Sequence, residues 1–366
     1  MERNRRRRVP WAIVLLIIVL CCAIAFGGAR LISRVRSAAS FGSTKVLHLD
    51  SAQALEAVSD GFVYYDGAAI VKMGSDGGSR WSYMMGANAE FSASDAGVAA
   101  WSGQKLTLID GETGVTGYSG SMDGDVLSAH VGSEYAAVLV GPEHNSTIVL
   151  METGGRKVDS ITLSDQTVID YGFFYNDTLF WIMTLDTNGT APSCTVSTYR
   201  PGRRMVGSIS DSEQLLYSAT FQSNQIAVVG DTNLKVFTYN GTEEVEKRRL
   251  IYGWTMAACD SVSDNPMMAF VPSAQYDSNS VMRDVRMVRG GSERIVRMPY
   301  GCSAIVAQGD RVYGFSGDGY VMIARMEQQK VEAYQLPIYF DSVYGVTADN
   351  VAVLGYGPAV YLVSLD

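Results

Sequence analysis

The stretch AGVAAWSGQKLTLIDGETGVTGYSG, residues 96–120, contains the unit from which the fold can be predicted. An apolar run comes first, a polar turn follows, and a second strand-like run then leads into an Asp-Gly turn. Val, Leu, Ile and Tyr fill the runs, while Gly, Ser and Asp bound them, which is the chemistry of β-strands and tight turns. The stretch therefore predicts short antiparallel strands.

The same arrangement occurs eight times along the chain. The first apolar runs lie at 60–65, 96–101, 133–140, 176–183, 223–229, 264–271, 309–315 and 348–354. The second runs lie at 68–73, 105–110, 146–152, 194–199, 234–239, 281–288, 320–326 and 359–365. From Phe62 to Val351 the units recur about every 41 residues, which is a period typical of repeat architectures.

Four short strands at this period predict a β-propeller, in which each sheet buries its faces against its two neighbours. No stretch of residues 30–366 has sustained apolar spacing of three and four residues, so few helices are expected. We predict an all-β, eight-bladed β-propeller, with seven blades as the alternative if two units merge. The last unit is one strand short, and residues 43–49, STKVLHL, are expected to close the ring as its outermost strand.

The N-terminal 40 residues have a different character. Residues 11–29, WAIVLLIIVLCCAIAFGGA, carry no charge, and at about 1.5 Å per residue a helix of this length matches the hydrocarbon core of a bilayer. We predict a cytoplasmic basic tail (1–10), a transmembrane helix (11–29), a linker (30–42) and an extracytoplasmic propeller (43–366) at the cell membrane. The residues expected to set this topology are Arg5, Arg6, Arg7, Arg8 and Trp11.

A cleaved secretory signal is the alternative interpretation of this segment. Ala23 and Ala25 form an A-x-A cleavage pattern, although the apolar run continues to Ala29. Both interpretations predict export of the remaining chain.

Two stretches resemble a known repeat. The runs KLTLIDGETGVTGYSG (105–120) and AIVKMGSDGGSRWSY (69–83) are similar to the repeat of quinoprotein-type eight-bladed propellers, which are distantly WD40-like. Trp81 stands where that repeat places its docking tryptophan, and Tyr118 replaces it in the next unit. The anchor-plus-propeller layout also resembles an uncharacterised family of exported, membrane-anchored proteins of Gram-positive bacteria.

The charge is unevenly distributed. The chain has a formal net charge of −9, but residues 41–366 hold 21 basic and 37 acidic groups, so a nucleic-acid partner is not expected. Residues 199–300 are nearly neutral, and their arginines are predicted to lie at outer blade positions. These arginines either solvate the blade edges or dock an acidic partner or anionic headgroups. The candidate docking residues are Arg248, Arg249, Arg283, Arg286, Arg289, Arg294 and Arg297.

No constellation predicts a catalytic, metal or cofactor site. The three histidines, His48, His130 and His144, lack metal-ligand spacing, and only His130 is expected to face the channel. The frequent Asp-Gly pairs are interpreted as hairpin turns rather than calcium sites. The exported cysteines, Cys194, Cys259 and Cys302, are expected to be buried thiols, with a Cys259–Cys302 bridge as the alternative.

These observations favour a non-catalytic binding platform for an envelope protein or a cell-wall polymer. The alternative is an extracytoplasmic enzyme, a hydrolase, lyase or quinoprotein with its site at the channel mouth. A ligand sensor is a weaker third hypothesis, because residues 1–10 are too short to transmit a signal without a partner in the membrane.

Overall fold

The computed structural model describes residues 41–49, 52–143, 145–174, 177–222, 225–260, 265–277 and 281–366. They form eight four-stranded sheets, which confirms the predicted all-β fold and eight, rather than seven, propeller blades. The predicted tail, transmembrane helix and linker up to residue 40 lie outside these ranges. Within the described ranges, none of the helices has the length and apolarity needed to span a bilayer.

Each blade runs from an innermost first strand to an outermost fourth strand. Blade 1 consists of β2 (Ala54–Val58), β3 (Gly61–Tyr65), β4 (Ala69–Gly74) and β5 (Ser79–Met84), and blade 2 of β6 (Glu90–Ala93), β7 (Gly97–Ser102), β8 (Lys105–Asp110) and β9 (Thr116–Ser121). Blade 3 consists of β10 (Val126–Val131), β11 (Tyr135–Val140), β12 (Asn145–Glu152) and β13 (Lys157–Ser164), and blade 4 of β14 (Thr167–Phe174), β15 (Leu179–Asp186), β16 (Ser193–Tyr199) and β17 (Met205–Asp211).

The second half of the ring follows the same plan. Blade 5 consists of β18 (Leu216–Gln222), β19 (Gln225–Gly230), β20 (Asn233–Thr238) and β21 (Arg249–Leu250), and blade 6 of β22 (Trp254–Cys259), β23 (Met268–Pro272), β24 (Met282–Arg289) and β25 (Ser292–Cys302). Blade 7 consists of β26 (Ala304–Gln308), β27 (Arg311–Ser316), β28 (Tyr320–Arg325) and β29 (Glu332–Gln335), and blade 8 of β30 (Ser342–Val346), β31 (Val351–Tyr356), β32 (Ala359–Ser364) and β1 (Thr44–His48). A 3-10 helix (Val245–Lys247) precedes β21, and a five-residue helix, α1 (Ser273–Asp277), follows β23.

Strand β1 closes the ring as the sequence predicts. It pairs antiparallel with β32, with Thr44 opposite Val363 and His48 opposite Ala359. The Gly42 N–H also donates to the Ser364 carbonyl at 2.7 Å. Both ends of the described chain therefore lie in one sheet, and the closure rests on backbone hydrogen bonds.

Burial explains which strands can be recognised as apolar runs in the sequence. Second and third strands such as β7 and β8 are almost wholly buried, whereas fourth strands such as β9 alternate between half-buried and exposed residues. The buried apolar residues of the described chain form eight clusters, and each cluster joins two neighbouring blades. Each blade is therefore stabilised by its neighbours on both sides.

The fourth strand of one blade also contacts the third-to-fourth turn of the next blade. The Trp81 indole N–H donates to the Gly111 carbonyl at 3.1 Å, and a Cβ at Gly114 would come within 2.5 Å of the ring. The ring of Tyr118 covers Gly155 in the same way. These two side chains therefore dock as the resemblance to the quinoprotein-type repeat implies.

The propeller has two different faces. In each blade, the turn between the first and second strands (first-to-second turn) and the turn between the third and fourth strands (third-to-fourth turn) lie on one face. Hydrogen bonds join the two kinds of turn: the Ser75 N–H donates to the Asp60 carbonyl in blade 1, and the Gly111 N–H donates to the Ala96 carbonyl in blade 2. We call this the turn face. The second-to-third turns lie on the opposite face. Strand β1 starts at the turn face, since Thr44 pairs with Val363 near the end of β32, where the third strand of each other blade enters its third-to-fourth turn.

Candidate functional site

Arg286, one of the predicted docking residues, lies inside the protein between blades 5 and 6. It is only 9% exposed, its Nε lies 2.9 Å from Glu293 Oε1, and its Nη1 donates to the Leu250 carbonyl at 2.8 Å. Its guanidinium carbon also lies 5.9 Å from the centre of the Trp254 ring, within cation–π range. Arg286 is therefore buried between two blades, which corrects the expectation that it lies at an outer blade position.

Arg249 and Arg294 contact the next blade of the ring. Arg249 donates to the Gly291 carbonyl at 2.6 Å and pairs with Glu293 at 3.3 Å. Arg294 donates to the carbonyls of Arg325 and Met326, at 3.2 and 3.1 Å, and to that of Gln328. Both side chains hold neighbouring blades together, as Trp81 does in blade 1.

The other four predicted arginines are more accessible. Arg248 makes two 2.8 Å hydrogen bonds to Glu243, and Arg297 lies 3.7 Å from Asp284. Arg289 Nε donates to the Asn265 carbonyl at 2.9 Å, and Arg283 is exposed. The seven arginines therefore do not form one unoccupied basic patch. A docking role for the accessible four stays a prediction.

His130 lines the central channel, as the sequence predicts, whereas His48 is exposed and His144 lies outside the described residues. Burial lowers the pKa of the His130 imidazole, and the charge of Asp170 opposes that effect. Partial desolvation raises the pKa of Asp170. His130 Nδ1 lies 3.5 Å from Ser92 Oγ, which is beyond the usual hydrogen-bond range.

The innermost strands of blades 2 to 6 end at the turn face around a cavity of about 900 Å³ at the channel mouth. Its wall includes the aromatic side chains of Phe173, Phe174, Trp181 and Phe221. The rings of Phe174 and Phe221 stack with their centroids 4.1 Å apart, and Trp181 lies 5.1 Å from Phe221. One side of this central cavity is therefore an aromatic surface.

An acidic residue occupies the first-to-second turn in seven of the eight blades. These residues form a rim around the channel mouth and are Asp60, Asp95, Glu134, Asp177, Asp260, Asp310 and Asp349. Two of them are neutralised within the fold, because Asp60 pairs with Lys72 at 2.8 Å and Asp310 lies 3.8 Å from Arg311.

The rim residues beside the central cavity have a different environment. Within the described ranges, no Lys or Arg nitrogen lies within 4.0 Å of the carboxylates of Asp95, Glu134 or Asp177. Asp95 instead accepts the Ser59 N–H at 2.8 Å, and Asp177 accepts the Glu134 N–H at 2.7 Å. Backbone donors thus hold two of these carboxylates in place without cancelling their charge.

Two smaller cavities adjoin the central one on the turn face. The first, about 400 Å³ between blades 2 and 3, shares Ser133 with it and is bordered by Val115, which is 64% exposed. The second, about 530 Å³, shares Asp177 and is lined by Glu134 as well as by Arg200 and Arg203. We call the three cavities together the turn-face groove, which crosses blades 2 to 5 from an apolar end to a basic end.

The remaining candidates have structural roles. The Asp66 carboxylate accepts the Ala68 and Ala69 N–H groups, as expected of an Asp-Gly turn. The part of the chain that the structure describes contains no cluster of three or more metal-binding side chains. Its cysteines are free, so the alternative bridge between Cys259 and Cys302 is not formed, and burial raises the pKa of both thiols to about 12.

Comparison with known proteins supports the fold. No protein family model matches the chain, and no curated protein matches it. Among solved structures it is similar to BamB from Moraxella catarrhalis, with 12% identity and a TM-score of 0.54 over 89% of this chain and 97% of that one. It is also similar to Saccharomyces cerevisiae Sqt1, with 9% identity and a TM-score of 0.58 over 89% and 100%. The WD40 domain of SCAP from fission yeast matches with 10% identity and a TM-score of 0.58 over 88% and 98%. Identities this low establish the fold alone.

Sequence reasoning did not find the groove. Asp95, Glu134 and Asp177 each stand within two residues of the start of a second strand, so the repeat contained a signal for the rim. Phe174 and Phe221 belong to two different units, and no local pattern predicts that their rings stack.

Proposed function

We propose that this chain is a membrane-tethered, extracytoplasmic propeller that acts as a non-catalytic binding platform for an envelope protein. The turn-face groove is the observation that supports the proposal most directly. Its three adjoining cavities lie on one face and together have room for more than one side chain of a bound protein. Loops held by a rigid scaffold are suited to recognition by complementary shape.

The sequence supports the tethered part of the proposal. The charge-free run 11–29, with four consecutive arginines before it, favours one membrane span with the N-terminus in the cytoplasm. An affiliation with membrane-anchored exported propellers of Gram-positive bacteria fits this layout. Because β1 starts at the turn face, we place the groove on the side of the propeller from which the linker leaves.

Site-specific cross-linking in cells tests the platform. A photoreactive residue replaces Ser133, an exposed turn residue in the groove, and the control replaces Gln104, an exposed turn residue of blade 2 on the opposite face. We expect a defined cross-linked partner from position 133 and none from position 104. Equal labelling at both positions, or no cross-link at either, would contradict the platform.

Cysteine labelling tests the topology. Single cysteines are introduced at Asn4 and at Gln104, and intact cells are treated with a membrane-impermeant maleimide. We expect labelling at Gln104→Cys only, with the protein in the membrane fraction. Labelling of Asn4→Cys, or release of the chain into the medium, would contradict the anchor.

An enzyme is the second candidate, because Ser92, His130 and Asp170 lie on adjacent innermost strands. A neutral histidine near a serine is the arrangement that activates a nucleophile, and such contacts are often long before substrate binds. A fluorophosphonate probe separates the two candidates. An enzyme predicts labelling of Ser92 that His130→Ala abolishes, whereas a platform predicts none.

A further inference from the structure

The turn-face groove has a charge that its own fold leaves uncompensated. Asp95, Glu134 and Asp177 border it without a basic group within 4.0 Å in the described chain. Asp170 faces the same cavity, and partial desolvation already opposes its ionised form. A cation in the cavity would interact favourably with several carboxylates at once, and more strongly there than in bulk water.

The aromatic part of the cavity wall suits a cation as well. Phe173 and Phe221 are partly exposed and line the cavity, and Phe221 contacts the rings of both Phe174 and Trp181. The face of an aromatic ring attracts a guanidinium or ammonium group, and the attraction grows when the group is desolvated. Carboxylates and aromatic rings together match the side chain of Arg or Lys.

The two ends of the groove define what flanks that side chain. The cavity between blades 2 and 3 is bordered by the exposed apolar side chain of Val115. Arg200 and Arg203 line the other end, and neither lies within 4.0 Å of a carboxylate oxygen of the described chain. An occupant with an apolar, then a basic, then an acidic side chain would match the groove from end to end.

We infer that the turn-face groove binds an extended segment of the partner protein and that one Arg or Lys side chain of this segment enters the central cavity. The inference rests on the proposed platform function and specifies the chemistry of its partner. An anionic wall polymer is the competing occupant, and the acidic rim would repel it.

The test combines the cross-linker at position 133 with charge removal in the full-length chain. Asp95→Asn with Asp177→Asn removes two rim charges, and Asn at both positions keeps an oxygen that can accept the backbone N–H groups. Asp123→Asn with Asp125→Asn is the matched control, because both residues are exposed and lie between β9 and β10 on the opposite face. We expect the cross-link to fall at least tenfold in the rim variant and to persist in the control.

The outcomes separate the inference from the platform. Loss of the cross-link in the rim variant alone, with a basic residue in the cross-linked peptide, supports the inference. A cross-link that persists in the rim variant, or that joins an anionic polymer, overturns the inference but leaves the platform. No cross-link in the unmodified protein overturns both. Should the double variant fail to fold, Asp170→Asn repeats the test with a residue whose carboxylate accepts the N–H of its neighbour Tyr171.

A direct binding measurement completes the test. The full chain in detergent micelles is titrated with a fluorescent Val-Ser-Arg-Ser-Glu peptide and with its twin that has Gln in place of Arg. We expect the Arg peptide to bind at least tenfold more tightly, with the difference lost in the rim variant and reduced by added salt. Equal binding of the two peptides contradicts the inference.

Discussion

Two regions of the propeller carry opposite charges: the arginine-rich edge of blades 5 and 6 and the acidic rim of blades 2 to 4. They also differ in whether their charged groups pair with oppositely charged groups of the protein. At the edge, Arg286 and Arg249 share Glu293, and Arg294 binds carbonyls of the next blade. At the rim, Asp95 and Asp177 accept backbone N–H groups and face a cavity. The edge pairs its charge within the protein, whereas the rim carboxylates border a cavity without a basic partner in the described chain, Asp95 exposed and Asp177 buried.

This difference shows why a count of charged residues does not locate a binding surface. The interval 199–300 is the most basic part of residues 41–366, yet four of the seven arginines predicted to dock a partner pair with acidic residues of the described chain. A charged group attracts a partner when the fold has left it uncompensated and accessible. The predictions below test whether the edge is structural and the rim is not.

The largest effect is expected from removal of the closing strand, on which both regions depend. Deletion of residues 43–50 leaves β32 without its outer partner and removes the only strand that joins the two ends of the described chain. We expect loss of the cooperative thermal unfolding transition, measured by circular dichroism. A deletion variant that melts like the parent would show that the ring does not need β1.

Arg286→Ser should be the most damaging single substitution at the edge. It removes a buried guanidinium from Glu293, Trp254 and the Leu250 carbonyl, and the loss of hydrogen bonds made by a charged group costs about 2 kcal/mol. Arg297→Ser is the control, because its side chain is 71% exposed and a surface pair contributes about 0.5 kcal/mol or less. Urea unfolding measures both, and equal effects would remove the distinction between core and surface arginines.

Arg294→Leu should have a smaller effect. It keeps the apolar stem but removes the hydrogen bonds to the carbonyls of Arg325 and Met326, which we expect to lower the free energy of unfolding by about 1 kcal/mol. The same urea titration checks it. Unchanged stability together with weaker partner cross-linking would contradict this structural role and support Arg294 as a docking residue.

The smallest effect is expected in the pH dependence of stability, through His130 and Asp170 in the central channel. The pKa of His130 is lowered from 6.5 in the folded state, so the unfolded chain binds this proton more readily than the folded chain. The free energy of unfolding should therefore decrease as the pH is lowered below about 6.5. The pKa of Asp170 is raised from 3.8, so its ionised form is disfavoured on folding, and Asp170→Asn should stabilise the protein at pH 7. That advantage should vanish as pH falls toward 3.8. Melting temperatures across this range check both signs, and a lower melting temperature for Asp170→Asn at pH 7 would contradict the desolvation argument.

Much of the fold was predictable because propeller blades repeat one local pattern. The second and third strands are buried on both faces and appear as apolar runs, and the closing strand was predicted from the incomplete last unit. The first and fourth strands were harder to find, because strands such as β5 and β9 alternate between half-buried and exposed residues. The same weakness hid the roles of Arg249 and Arg294, which depend on the neighbouring blade.

The sequence by itself determined the strand content, the number of blades and the closure of the ring, because those features follow from residues close together in the chain. Only the tertiary structure decided which charges are available for binding. Arg286 lies in the core because blades 5 and 6 meet there, and Phe174 stacks on Phe221 because the ring brings two units side by side. Burial and counter-ions depend on contacts between blades, which a repeat of about forty residues cannot encode within one unit.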